Sequence, residues 1–408
     1  MVGPSGATTG KRTNRMESRT MDFRISDEQR QMVAMVREVS QHEFKPNAAR
    51  YHDGSFPWDN LKRLGELGVT GMAVPKEYGG LGLGTLDVAL VLEELAKGCY
   101  ATAMMMLGEL GVQTRIISSF APESLKRRML PKIATGEFVL AICITEPDAG
   151  SDAGAMRTNT NIDGDRAIVN GMKTMISRAE EADVFIVFTR VNNVPGGKGV
   201  GCVLVEKGAV GLSAKASFHT MGGEMLSEVR FDDVVVAEEN VISREGGTKK
   251  MFTAFNMQRC LNSAICLGLA EGAFNESVRY LRDRSAFGSR IGDYQGQRWR
   301  LANMYRDIEA ARGLLYRACV SGDPFPDPRQ AALAKIYCNE MAVQVTDEAR
   351  KIHGGYGYTD EFAVSHFFRQ APFGGSGGGT PDLLRNMVGK ALIDDFDLAN
   401  DFAAMNTF

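Results

Sequence analysis

The segment Thr145–Asp152, TEPDAGSD, closes a run of β-forming residues with a tight Pro-Asp-Ala-Gly turn. Such a turn presents hydroxyls and backbone N–H groups to an aromatic ring or a phosphate. Its simpler use is to reverse the chain. Arg284 stands ahead of an aromatic–glycine pair, Phe287-Gly288, in RSAFGSRIGDYQ; a lone arginine there otherwise ends a helix in solvent. Gly374, Gly375, Gly377, Gly378 and Gly379 form a cluster broken by Ser376. Each ordered glycine costs roughly 0.5–1 kcal/mol relative to alanine in regular structure. The cluster therefore fits a segment that leaves space or must move, or a merely flexible loop. Gly80, Gly82 and Gly84 do not satisfy G-x-G-x-x-G and lack a strand-then-helix setting.

These residues need elements to position them. Apolar residues at i, i+3, i+4 predict helices over 27–48, 58–67, 85–97 and 103–119, with Ser26 ahead of Asp27-Glu28-Gln29 as a start signal. From about 138 to 240 the pattern turns to short β-rich runs such as FVLAICIT and DVFIVFTRV, separated by turns. No helix of useful length lies between them, which predicts an antiparallel β-domain. Helical patterns return over 246–283, 293–320, 328–352 and 381–404, with prolines 324, 326 and 328 at one break. Expected boundaries are a disordered extension over 1–20, an N-terminal helical domain over 21–135, a middle β-domain over 136–240 and a C-terminal four-helix bundle over 241–408.

Composition narrows the chemistry. The 408 residues carry a net charge of −3, without the basic excess of a nucleic-acid binder. No apolar run reaches the ~18–20 residues of a membrane span. Seven scattered cysteines form no CxxC pair, which reads as a reducing, cytoplasmic compartment without a metal site.

The order of elements and three motifs resemble the acyl-CoA dehydrogenase family over residues 21–404. TEPDAGSD is similar to TEPGAGSD, RSAFGSRIGDYQ to RxxFGxxIxxFQ, and HGGYGY at His353–Tyr358 to GGxGY/F. The resemblance implies an α+β fold with FAD as cofactor. It assigns FAD contacts to Thr145, Ser177, Arg284, Phe287, Gln295, Gly354, Gly355 and Thr380, with Arg284 on the pyrophosphate across a subunit interface. It assigns the CoA side to Ser151 and places Arg259 by the CoA entrance. It further implies an acyl-CoA substrate, a homo-oligomer of tetrameric type and an electron-transfer flavoprotein as a redox partner, with neither nucleic acid nor membrane involved.

The departures lie at the chemistry. Family members place a proton-abstracting glutamate either just before a Gly-Thr pair or on a helix before an arginine. The matching residues here are Gly378, before Gly379-Thr380, and Gln258, before Arg259. A glycine retains the N–H that the family aims at the enolate oxygen, but a neutral amide does not serve as a general base. Met175-Ile176-Ser177 stands for the family's Trp-x-Thr, and Lys351 for a frequent glutamine. The 3-sulfinopropionyl-CoA desulfinase branch, which also lacks the glutamate, is similar at 57–64, 85–99, 294–299 and 321–337. That branch has an acyl-pocket arginine where this chain has Met104. Met104–Leu107 implies an apolar acyl pocket, and Glu109 is either a solvated helix residue or a pocket carboxylate that replaces the base. The expected activity is FAD-dependent chemistry on a short or β-substituted acyl-CoA, outside glutamate-based α,β-dehydrogenation. Alternatives are desulfinase-like elimination, a non-catalytic flavoprotein subunit, and chemistry on a carrier-protein thioester.

Overall fold

Ser26 accepts from the Gln29 N–H while the Gln29 side chain accepts from the Ser26 N–H, and this capping box opens α1, Asp27–Val39. The computed structural model describes residues 24–244, 246–247 and 251–394. The expected extension over 1–20 and the helix tail beyond 394 lie outside them. Regular helix stops at Val39 rather than near 48; one π turn and a 3-10 stretch carry the chain to Asp53. Pro46 is the physical reason, since it has no N–H for an α-helical bond. Then follow α2 (Trp58–Glu66), α3 (Thr85–Gly98), α4 (Tyr100–Leu110), α5 (Val112–Phe120) and α6 (Glu123–Thr135).

The helix expected over 103–119 is two helices, broken at Gly111. A Cβ there would lie 2.2 Å from the Leu107 carbonyl oxygen and 2.7 Å from Gln258 Oε1, so the break accommodates a side chain from far along the chain.

The middle domain is an eight-stranded sheet: β1 (Leu140–Cys143), β2 (Asn159–Asp163), β3 (Arg166–Ser177), β4 (Val184–Val191), β5 (Val200–Glu206), β6 (Leu212–His219), β7 (Met225–Ala237) and β8 (Val241–Ser243). Its spatial order is β6-β7-β3-β2-β4-β5-β8, with β1 also on β4. The expectation of a purely antiparallel domain needs correction. β1 runs parallel to Val184–Val187 of β4, and β2 runs parallel to its end at Arg190–Val191. The chain leaves the edge of β4 after β1, makes the Thr145–Asp152 excursion, and rejoins the same strand in the same direction. No crossover helix is needed, so the sequence carries no sign of parallel pairing. One sheet face packs on α5 and α6 through Ile116, Met129, Ile186, Phe188 and Leu204.

The C-terminal part is α7 (Phe255–Asp283), the short β9–β10 hairpin (Ser285–Ala286, Ser289–Arg290), α8 (Gln295–Cys319), α9 (Pro328–Ile352), α10 (Ala363–Gln370) and α11 (Pro381–Asp394). Residues 251 and 252 are also helical, and the expected helix start near 246 adjoins positions 245 and 248–250, which lie outside the described residues. The stretch 260–273 of α7 is buried almost throughout because α3, α8 and α9 all pack against it. The contact with α3 is close at Gly268, where a Cβ would sit 2.3 Å from the Glu93 carbonyl oxygen. One core thus joins the N-terminal helices to the bundle. All seven cysteines are buried and free. Among the described residues, no helix is long and apolar enough to cross a membrane.

Candidate functional site

α7 carries Gln258 and Arg259 toward the glycine loop. The Gln258 amide accepts from the Val112 N–H at 3.3 Å, capping the start of α5, and donates to Asn262 Oδ1 at 3.2 Å. Asn262 in turn donates to the Gly377 carbonyl at 2.9 Å. Arg259 is held by Asn256 at 2.8 Å and reaches the Gly378 carbonyl at 3.5 Å. Gly378 has φ +75°, a conformation that strains any side-chain-bearing residue. The space a Cβ would enter is bounded by Asn262 Nδ2 at 3.4 Å, Lys335 Cε at 3.5 Å and Gln258 Cγ at 3.7 Å. None of these neighbours is a carboxylate. The Gly378 N–H donates to no other described residue.

Lys335 is the residue that sequence reasoning missed here. Its side chain is wholly buried on α9, and it donates with Asn339 to the Gly374 carbonyl. Burial without a carboxylate partner pulls its ammonium down to about 8, and the nearby Arg259 adds to that pull. A signal was present: Lys335 shares the apolar stripe Ala331, Ala334, Cys338 and Ala342. Thr380 caps α11, accepting from the Leu383 N–H at 3.3 Å.

The Thr145–Asp152 excursion is braced from inside. Thr145 accepts from the Thr174 N–H at 2.9 Å. Glu146 pairs with the buried Lys173 at 2.8 Å and accepts from the N–H groups of Arg157 (2.6 Å) and Thr158 (2.9 Å). Burial raises the Glu146 carboxyl, but these donors and Lys173 outweigh it and hold it below its usual range. Ser151 is exposed at the tip. Met175 and Arg178, flanking Ser177, have φ +58° and +61°. Strain of this kind clusters at functional sites.

Glu109 is not a solvated helix residue; it is fully buried. Its Oε1 accepts from the Leu140 N–H at 3.2 Å and pairs with Arg178 Nη1 at 3.4 Å, while Oε2 has no partner among the described residues. Burial pushes its carboxyl up to about 7 against the pull of Arg178. The helix pattern failed because Glu109 lies where α4 meets β1, a contact between domains. Met104 lines a small cavity with Met105, Tyr100, Arg178, Glu181 and Glu224.

The second group gathers at the far end of α7. The Tyr280 ring stacks on the buried His353 at 4.3 Å, so the Gly354–Tyr358 turn lies beside the last turn of α7. Arg284 follows there and forms no ion pair among the described residues. Phe287 is 98% exposed at φ +52°. Gln295 is exposed at the start of α8, and added Cβ atoms at Gly354 and Gly355 would meet nothing within 4 Å. An unpaired guanidinium, an exposed ring and bare backbone suit a dinucleotide diphosphate.

Family models for the acyl-CoA dehydrogenase N-terminal, middle and C-terminal domains match residues 26–137, 141–234 and 245–393. The short-chain specific acyl-CoA dehydrogenase of Clostridium acetobutylicum is 34% identical over 90% of this chain and 98% of its own length. The 3-sulfinopropanoyl-CoA desulfinase of Variovorax paradoxus is 35% identical over 91% of this chain and 96% of its own. The structure of butyryl-CoA dehydrogenase from Megasphaera elsdenii matches with a TM-score of 0.88 at 30% identity, covering 91% of this chain and all of that one.

Proposed function

From the premise that this chain belongs to the acyl-CoA dehydrogenase family, we propose that it is an FAD enzyme acting on a short or β-substituted acyl-CoA thioester outside glutamate-based α,β-dehydrogenation. The observation that carries this reading is the composition of the Gly378 corner: Gln258, Asn262 and Lys335, with no carboxylate among the nearest groups.

The flavin, when bound, supplies a hydride acceptor. Arg284, Phe287, Gln295, Gly354 and Gly355 would hold its dinucleotide part, and Thr145, Ser177 and Thr380 its ring side. The chain's own residues do the rest. The Gly378 N–H is free to polarise a thioester carbonyl, and donors aimed at a developing enolate oxygen contribute about 3–4 kcal/mol. Gln258 offers a hydrogen bond at the α-carbon side but holds no proton. Loss of a general base costs about 10²–10⁴ in rate, so ordinary saturated acyl-CoAs should be poor substrates. Ser151 and Arg259 lie toward the CoA side.

The exposed aromatic side chains of Phe287, Trp299 and Tyr358 support a homo-oligomer, a tetramer, in which a second chain completes the FAD site. An electron-transfer flavoprotein is the redox partner wherever net oxidation occurs. Seven buried thiols fit a cytoplasmic setting. Desulfinase-like elimination is the second reading, supported by desulfinase relatives at 33–35% identity. Anaerobic flavin bleaching with a panel of acyl-CoA and enoyl-CoA thioesters, with products followed by mass, tests the proposal. Rapid bleaching by butyryl-CoA with crotonyl-CoA as product would overturn it.

A further inference from the structure

The cavity beside Met104 has a polar end that the apolar run Met104–Leu107 does not announce. It holds about 50 Å3, room for one small group. Its polar lining comes from three places in the chain: Tyr100 on α4, Arg178 and Glu181 after β3, and Glu224 before β7. Tyr100 is 5% exposed, and its hydroxyl bonds to no described residue. Arg178 is almost wholly buried. Its Nη1 is committed to the Met105 carbonyl at 2.9 Å and to Glu109, while its Nε has no partner among the described residues. Glu224 lies within reach of the Ser177 hydroxyl, and neither Glu224 nor Glu181 forms an ion pair among the described residues. Burial pushes both carboxyls up.

This lining offers unused donors, the Tyr100 hydroxyl and Arg178 Nε, next to the carboxylates of Glu224, which already faces the Ser177 hydroxyl, and Glu181. Buried groups of both kinds are satisfied together by a ligand that donates and accepts at once. An anionic acyl end would meet two carboxylates and a guanidinium already paired with Glu109. A plain alkyl end would leave the Tyr100 hydroxyl and Arg178 Nε without an acceptor.

We infer that Tyr100, Arg178 and Glu224 form a specificity site for a neutral hydroxyl on the acyl chain. The inference rests on the reading of this chain as an acyl-CoA enzyme. Glu224 accepts from that hydroxyl, and Arg178 Nε or the Tyr100 hydroxyl donates to it. Selectivity for a polar acyl group is thereby moved from the Met104 position on α4 to the ends of β3 and β7.

The test uses the holoprotein and the perturbation of its bound-flavin spectrum on titration with 4-hydroxybutyryl-CoA, butyryl-CoA and succinyl-CoA. The hydroxy thioester should bind about tenfold or more tighter than butyryl-CoA, as expected for a site built to pair a hydroxyl, and succinyl-CoA should bind weakest. Glu224→Leu should collapse the hydroxy-to-plain ratio toward one. Glu224→Gln and Tyr100→Phe, which keep the side-chain shape, should each narrow it. Equal binding of the hydroxy and plain thioesters, tightest binding of succinyl-CoA, or a ratio unmoved in all three variants would overturn the site while leaving the acyl-CoA reading standing. Silence of the flavin toward every thioester would overturn both.

Discussion

The guanidinium of Arg178 occupies the space that a Cβ on Gly108 would need: the built Cβ would lie 1.4 Å from Nη1. The absence of a side chain on α4 therefore lets a cation from the end of β3 reach Glu109, and two domains close on a buried ion pair. Gly108→Ala should displace the guanidinium and strand Glu109. Breaking such a pair typically costs 3–5 kcal/mol, read as a lower urea midpoint at unchanged slope. A loss below about 1 kcal/mol would show that Arg178 has another place to go.

Glu109 gives a pH signature of its own. Its carboxyl is raised to about 7, so the folded state binds this proton more tightly than the unfolded chain does. The stabilisation is fully present below the unfolded value near 4.3 and is lost as pH rises through about 7. Urea midpoints compared at pH 5 and pH 7.5 should fall with pH in the unmodified protein, and the fall should shrink in Glu109→Gln. An identical fall in both proteins would mean that other groups carry it.

The Lys173–Glu146 pair behaves with the opposite sign. The Glu146 carboxyl is held below its usual range, so its contribution is present above about pH 4.3 and is lost as pH falls through the lower folded value. Lys173→Met should destabilise by about 3–5 kcal/mol at neutral pH and loosen the Thr145–Asp152 turn. Hydrogen exchange at Arg157 and Thr158, whose N–H groups bond to Glu146, would report this directly. Unchanged protection there would separate the turn from the pair.

Arg284→Ala should purify with less FAD and assemble more weakly, because no other part is assigned to this unpaired guanidinium. Absorbance at the flavin band per chain and the mass in solution check both. Full FAD occupancy in the variant would remove Arg284 from the cofactor site.

Introducing a carboxylate distinguishes the two positions proposed for a base, Gln258 and Gly378. Gln258→Glu keeps the acceptor for the Val112 N–H, whereas Gly378→Glu must enter a left-handed conformation at about 1–2 kcal/mol. Gln258→Glu should therefore raise oxidation of a saturated short-chain acyl-CoA, by about 10² or more, with less loss of stability than Gly378→Glu. Stopped-flow flavin reduction by butyryl-CoA measures the gain, and no gain in either variant would mean that the α-carbon does not lie at this corner.

Much of this protein was legible in its residues taken in order. Local signals were sufficient for the Ser26 start, the long helices of the bundle, the switch to β-rich runs near 138, and the three motifs that carry the family resemblance. The absence of a carboxylate at Gly378 and Gln258 was equally plain, because it depends only on which residue stands at each position. What the chain alone did not determine were contacts between residues distant in sequence. Glu109 read as either a solvated helix residue or a pocket carboxylate until α4 met β1 and Arg178. Helix 103–119 read as continuous until Gln258 reached Gly111. The β-domain read as antiparallel because a parallel return along β4 needs no crossover helix to betray it. Arg178 and Glu224 joined Met104 only when two strand ends closed over α4, since periodicity reports which face of an element is apolar and never which distant side chain that face will meet.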